Sequence, residues 1–265
     1  MEFVNRSQAV KETGLSYLGT VNSSQKILKN KKVSKVITYI IYLAPAKTSG
    51  YNVCSHSTPE CRLGCLDTSG RNKMEIACGR NWINKARIKK SKLFFEEQSF
   101  FMGWMIAEIK AQRDLAIAQG YGFSARLNGT SDINWSNVFY EGQNIFEIFP
   151  EIQFYDYTKN SVKLSDKVSN YHLTLSYTGR NWVECENALN SGINVAIVFD
   201  TKKNKPLPAM YMGFKVIDGD LTDYRVNDGQ GVIVGLRFKS IANKENEAKV
   251  KNSIFVIREK ELVVV

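Results

Sequence analysis

At 265 residues, with 43% hydrophobic and 11% aromatic content, the chain is long enough for a substantial core, and its composition excludes a collagenous or low-complexity protein. Its first apolar run, residues 36–46, is too short to span a bilayer and lies well inside the chain, so the expectation is no transmembrane helix, no signal peptide and a cytoplasmic protein. The formal charge of +10 is fed by Lys-rich runs at residues 26–35 and 85–92, which suit a polyanionic partner such as nucleic acid and equally a solvated Lys-rich surface.

In chain order, "KVITYIIYLA" (35–44) is β-branched and aromatic and reads as a first strand, punctuated by Pro45, Ser49 and Gly50. The loop "YNVCSHSTPECRLGCLDTSGR" (51–71) follows without apolar periodicity. Residues 81–119 are rich in helix formers and predict one long helix or two consecutive ones ending near Gly120. "GFSARLNG" (122–129) is a second strand, residues 136–150 read as helix up to Pro150, and "IQFYDYTK" (152–159) is a third strand. "YHLTLSYT" (171–178), "NVAIVFD" (194–200) and "GVIVGLRFK" (231–239) complete the series, with a short helix at 181–192.

Strands alternating with helices, several of them almost wholly apolar, indicate an α/β fold with a parallel sheet covered on both faces. Six strands predict a partial (β/α)6 TIM-like barrel over residues 35–240, with an N-terminal extension (1–34) and a C-terminal one (241–265) whose "SIFVIREKELVVV" adds a strand or strand pair outside the barrel. Such folds work at the carboxyl ends of their strands. Polar clusters recur there: the cysteine loop, "RLNGTSDINW" (126–135), "YDYTKN" (155–160), "SYTGRNW" (176–182) and "DTKKNKP" (200–206).

Three of the five cysteines, Cys54, Cys61 and Cys65, fall in one loop at Cys-x6-Cys-x3-Cys spacing. In a reducing compartment, clustered thiols point to metal or catalysis before disulfides. Thiolates suit iron–sulfur clusters and zinc, and three ligands leave one coordination position open. A structural zinc would need a fourth ligand, for which His56 and Cys78 are available, and free or regulatory thiols are the remaining reading.

A cysteine-triad loop directly after the first strand of a six-fold β/α barrel resembles the radical S-adenosylmethionine (radical SAM) superfamily, whose usual spacing is Cys-x3-Cys-x2-Cys. The resemblance implies a 4Fe-4S cluster on Cys54, Cys61 and Cys65 and S-adenosylmethionine as cofactor. By position alone it also implies that the loop after strand two, Asn128, Gly129, Thr130, Ser131 and Asp132, contacts that cofactor, with Asp132 as acceptor. The same stretch is equally a strand-to-helix turn capped by Ser131 or Asp132. More closely, "YLAPAKTSGYNVCSHSTPECRLGCLDTSGR", "ARLNGTSDINW", "FYDYTK", "NYHLTLSYTGRN", "DGDLTDYRVND" and "GVIVGLRFK" resemble a family of bacteriophage-encoded proteins. That resemblance implies a viral origin, the cytoplasm of an infected bacterial host, and of itself little chemistry.

Tyr155, Tyr157, Lys159, Tyr177 and Arg180, with Trp182, mix rings and cations at the strand ends, a combination that suits a nucleotide or nucleic acid substrate. Strand alternation turns either Tyr155 or Tyr157 inward. Asp218, Asp220, Asp223 and Asp228 either bind a hard cation such as Mg²⁺ or form an ordered loop in which Arg225 pairs with one of them. His172 reads as core, and Cys185 as packing. No serine-hydrolase elbow, P-loop or dinucleotide fingerprint is present. Three functions stand as expectations. The first is an iron–sulfur protein of radical-SAM type modifying a nucleotide or nucleic acid. The others are a non-enzymatic DNA- or RNA-binding protein with a structural zinc or iron–sulfur site, and a Mg²⁺-dependent nuclease using the aspartates.

Overall fold

The computed structural model describes residues 2–21, 25–166 and 168–258. The chain runs through α1 (Arg6–Thr13), β1 (Gly19–Thr20), α2 (Gln25–Val33), β2 (Val36–Ile41), α3 (Pro59–Leu63), α4 (Gly70–Ala77), α5 (Trp82–Glu96), α6 (Gln98–Ala118) and β3 (Gly122–Arg126). It continues through β4 (Phe139–Tyr140), β5 (Gln143–Asn144), α7 (Ile145–Ile148), β6 (Gln153–Thr158), β7 (Tyr171–Ser176), α8 (Trp182–Asn190) and β8 (Val195–Phe199). It ends with β9 (Met210–Tyr211), β10 (Phe214–Asp218), β11 (Ile233–Arg237), α9 (Lys244–Lys251) and β12 (Val256–Ile257). The six strands read from the sequence are β2, β3, β6, β7, β8 and β11.

The contacts divide the chain into two compact units, neither of them continuous in sequence and neither matching a division at residues 34 and 240. The first holds Met1–Ser55, Asn81–Asp156 and Asp166–His172; the second holds His56–Arg80, Tyr157–Ser165 and Leu173–Val265.

In the first unit β2 pairs parallel with β3, and β3 with β6, while β1 lies antiparallel on the outer edge of β2. Thr38, Tyr39, Ile40 and Ile41 are buried in succession, as a strand covered on both faces requires. Phe100, Phe101, Trp104, Met105 and Ile109 of α6 pack in one cluster with Tyr39, Ile41, Ala125, Leu127 and Phe154 of the sheet and its loops. A carboxylate and an ammonium fasten β1: Glu108 accepts from the Leu18 and Gly19 N–H groups (both 2.9 Å) and from the Tyr39 hydroxyl (2.6 Å), and Lys90 Nζ donates to the Leu18 carbonyl (2.6 Å). Only glycine fits at Gly19, where a Cβ would stand 2.3 Å from the Tyr39 ring. Asn170 closes the far end, its side-chain amide donating to the carbonyls of Phe146 (3.2 Å), Phe149 (2.9 Å) and Ile152 (3.2 Å).

In the second unit β7 and β11 flank β8, all three parallel, and β10 lies parallel on β11 with β9 antiparallel beyond it. β12 pairs parallel with Val198 and Phe199 of β8. The fold is thus mixed α/β with a mostly parallel sheet, and the TIM-like closure expected from six strands is corrected. Antiparallel β1 occupies one outer edge, and β10 with β9 stands beyond the last expected strand.

One local expectation is met and one changes. Residues 81–119 form two consecutive helices, broken at Glu97 (φ −137°, ψ 54°). Residues 136–150 are not one helix: Glu141 and Gly142 both take positive φ (51° and 83°), which makes a tight hairpin of β4 and β5, and only then does Asn144 cap α7 with Glu147 in a capping box. The C-terminal tail contributes α9 and β12, while residues 259–265 of the expected terminal strands lie outside the described residues. Among the described residues no helix is long and apolar enough to cross a membrane.

Candidate strand-end site

The loops leaving β2 and β3 meet at the carboxyl ends of these strands. Gly129 passes so close that a Cβ there would lie 2.5 Å from the Ile41 carbonyl, and its N–H donates to that oxygen (3.0 Å). Thr130 Oγ1 donates to the Leu43 carbonyl (2.6 Å), and the Asp132 N–H donates to the Val53 carbonyl (2.8 Å). Cys54 is held between these segments. Its sulfur accepts the Ala46 N–H (3.5 Å) and lies 3.7 Å from the Thr130 carbonyl, to which the thiol donates. Ala46 has φ +50°, a conformation that costs a non-glycine residue about 1–2 kcal/mol.

Asn128 organises the loop after β3. Its Oδ1 accepts from Ser131 Oγ (2.8 Å), the Ile133 N–H (2.9 Å) and Trp135 Nε1 (3.2 Å), and its Nδ2 donates to the Ile133 carbonyl (3.0 Å). Beneath it, buried Asp156 accepts the N–H groups of Leu127 (3.3 Å) and Asn128 (3.0 Å) and the Tyr171 hydroxyl (3.2 Å), and lies 3.6 Å from Arg126 Nε. Burial first, and the Asp156 charge second, hold the Tyr171 phenol well above its ordinary range, so it stays a donor. Of the five residues expected on a cofactor, Asn128 and Ser131 are therefore buried in the loop's own hydrogen bonds. Asp132 lines a groove of about 310 Å³ between the loops. Asp156 and Tyr171 are not singled out by sequence reasoning; the signal available for Asp156 is a lone carboxylate inside an aromatic strand.

Cys61 sits on α3, which Thr58 caps by accepting the Cys61 N–H (3.2 Å), and Cys65 follows the helix. Cys54 belongs to the first unit, and Cys61 and Cys65 to the second. None of the five cysteines is in a disulfide, and among the described residues no group of three or more His, Cys, Asp or Glu side chains is placed to hold a metal ion. Cys185 is buried and its thiol is pushed up to about 12 by that burial, in keeping with packing.

The aromatic and basic residues scatter. Tyr155 turns inward, where its hydroxyl accepts from Asn30 Nδ2 (3.1 Å) beside Thr38, so it offers no surface to a substrate. Tyr157 and Lys159 are half-buried. Tyr177 meets Trp182 edge-on at 6.1 Å, and Trp182 meets Tyr211 edge-on at 5.9 Å. Exposed Arg180 pairs with Glu60 (3.0 Å); the Glu60 carboxyl is lowered first by its own backbone N–H and then by Arg180. Three of the four aspartates are engaged by arginines: Arg237 reaches Asp218 (2.9 Å) and Asp220 (3.4 Å), and buried Arg225 reaches Asp228 (3.1 Å). The Arg225–Asp228 pair is the one expected of an ordered loop.

No curated protein and no solved structure matches the chain. A family model described as Gene product 88 matches residues 13–253, nearly its whole length, and the protein therefore belongs to the Gene product 88 family of phage proteins.

Proposed function

We propose that this phage protein captures a thiolate-bound metal centre, iron–sulfur in kind, through Cys54, Cys61 and Cys65. The observation that carries the reading is the Cys54 sulfur, which accepts a backbone N–H at a strained alanine at the carboxyl end of a parallel strand. That N–H would remain as a partner to the sulfur if metal displaced the Thr130 contact. The donor types fit an iron–sulfur cluster or zinc. Their placement among the described residues does not gather three ligands, so capture has to draw residues 54–65 together and couple metal binding to local folding. We derive no reaction step from such a centre. A radical-SAM-type enzyme acting on a nucleotide or nucleic acid is the finer form of this reading, supported by the parallel run β2, β3, β6 in chain order, with the cysteine loop leaving its first strand.

The test is iron, sulfide and zinc content of protein purified without oxygen, beside a variant with Cys54, Cys61 and Cys65 all changed to Ala. About four irons per chain, lost in the variant, are expected for a cubane. One zinc, or no metal, sinks the iron–sulfur reading.

A second reading, non-enzymatic nucleic-acid binding, is favoured by one feature. The Lys-rich helix α5 opens with Trp82, which is 68% exposed, and Lys85 Nζ stands 5.5 Å from the centre of its ring. An exposed ring among cations is what a single strand stacks on.

A further inference from the structure

The groove at the carboxyl ends of β2 and β3 contains no cysteine and plays no part in the metal reading. It lies within the first unit, between the loop after β2, the loop after β3 and the junction of α5 with α6. Its size, about 310 Å³, is at the lower end of small-molecule pockets, roughly 300–1,000 Å³. Asn52, Ser55, Phe95, Gln98, Asp132 and Asn134 line it. In a chain with 36 lysines and arginines, not one of them lines this groove, while a carboxylate does. A phosphate or other anion has no cation to pair with among these lining residues and one carboxylate to repel it.

What the groove does offer is a ring and fixed amides. Phe95, 39% exposed, is stacked face to face on Tyr51 (4.6 Å between centroids, 10° between planes), and the Tyr51 hydroxyl is tied to Glu96 (3.0 Å). The Asn52 oxygen accepts the Cys54 N–H (3.1 Å), the Asn134 oxygen accepts the Ser136 N–H (3.3 Å), and Asn134 Nδ2 donates to Asp166 (3.3 Å). Each carboxamide oxygen keeps a second lone pair and each amide nitrogen a further hydrogen, on side chains already held in position. Paired amide donors and acceptors match the edge of a nucleobase, aromatic faces match its plane, and a carboxylate accepts from sugar hydroxyls or an exocyclic amine.

We propose that this groove binds a nucleoside: a planar nitrogen heterocycle with its sugar, taken without phosphate. The proposal goes beyond the metal reading, and it stands whether or not the cysteines hold metal.

The experiment is calorimetric titration of adenosine, guanosine, cytidine and uridine, and of their 5′-triphosphates, into full-length protein pretreated with a chelator. Removing metal first separates failure here from failure of the metal reading. At least one nucleoside should bind, with its triphosphate no tighter. Phe95→Ala should weaken that binding by about tenfold, as loss of one stacking contact of roughly 1–3 kcal/mol predicts. Gln98→Ala, at an exposed position, should weaken it less, and Lys202→Ala in the second unit should leave it unchanged. Thermal melting of each variant confirms that it is folded. The proposal is overturned if no nucleoside binds at millimolar concentration, if Phe95→Ala and Gln98→Ala bind as the parent does, or if a triphosphate binds more tightly than its nucleoside.

Discussion

Asn128 is the side chain on which the strand-end loop depends most. Changing it to Ala strands the Trp135 indole N–H, the Ser131 hydroxyl and the Ile133 N–H at once, in a buried setting. Each buried polar group left without its partner costs about 1–3 kcal/mol, so Asn128→Ala should lower stability by roughly 3 kcal/mol, read as a fall in melting temperature. Gly129→Ala should also destabilise, because the added carbon meets the Ile41 backbone rather than a side chain that can move. The position of this loop was legible in the sequence, since it closes the second predicted strand. Its internal wiring was not. Asp156, which anchors it from below, lies 28 residues further on, and no local pattern couples the two. Tyr155 was legible only as one of a pair, because alternation says that one ring turns inward without saying which.

At the level of elements, the attachment of β1 rests on two ionisable groups in a largely apolar setting. Burial, opposed by the Glu108 charge, lowers the Lys90 ammonium to about 8, whereas the unfolded chain keeps that proton to about 10.5. Between those values the unfolded state carries more protons at this site, so the Lys90 contribution to stability should rise with pH from about 8, by at most about 1.4 kcal/mol per pH unit, until above about 9 the buried Cys185 thiol, held protonated to about 12, offsets it. Lys90→Met should remove that slope in denaturant melts taken at several pH values. Burial raises Glu108 and, more strongly, Tyr39, whose unfolded phenol ionises near 10 and there opposes the rise, so the slope is best read between about pH 8 and 9. The six parallel strands were readable because strands buried on both faces are continuous apolar runs. The β4–β5 hairpin was not, because residues 136–150 contain enough apolar side chains to imitate a helix, and the turn depends on Glu141 taking a positive φ that its side chain does not announce. β10 was missed for a related reason: only Val216 of its five residues is buried, so its pattern resembles a loop.

For the whole molecule, the charge of +10 has a testable meaning. If the basic helices serve nucleic acid, single-stranded DNA should be retained at low salt, with log affinity falling linearly against log salt by about 0.7 per phosphate contact. Lys85→Glu with Lys89→Glu should flatten that slope by about one to two contacts. A slope indifferent to both changes would leave the lysines as solvated surface. Composition made this charge visible at once, but it could not say that α5 buries Lys90 while leaving Trp82 exposed, which only the packing decides.

The interleaving of the two units also bears on how the chain is made. Residues 56–80, with Cys61, Cys65 and Cys78, leave the ribosome ahead of 185 further residues, among them β7 to β12, the strands of their own unit. At translation rates of about 5–20 residues per second, those thiols wait roughly 10–40 seconds for their unit to be completed. Cys54 and the Asn170 clamp are separated in the same way, since the first unit closes only when Asp166–His172 has emerged. If the cysteines take metal as proposed, the nascent loop would meet iron, zinc or oxidant before the fold exists to select among them, and the metal available during synthesis, not only the one added to finished protein, would decide what is recovered.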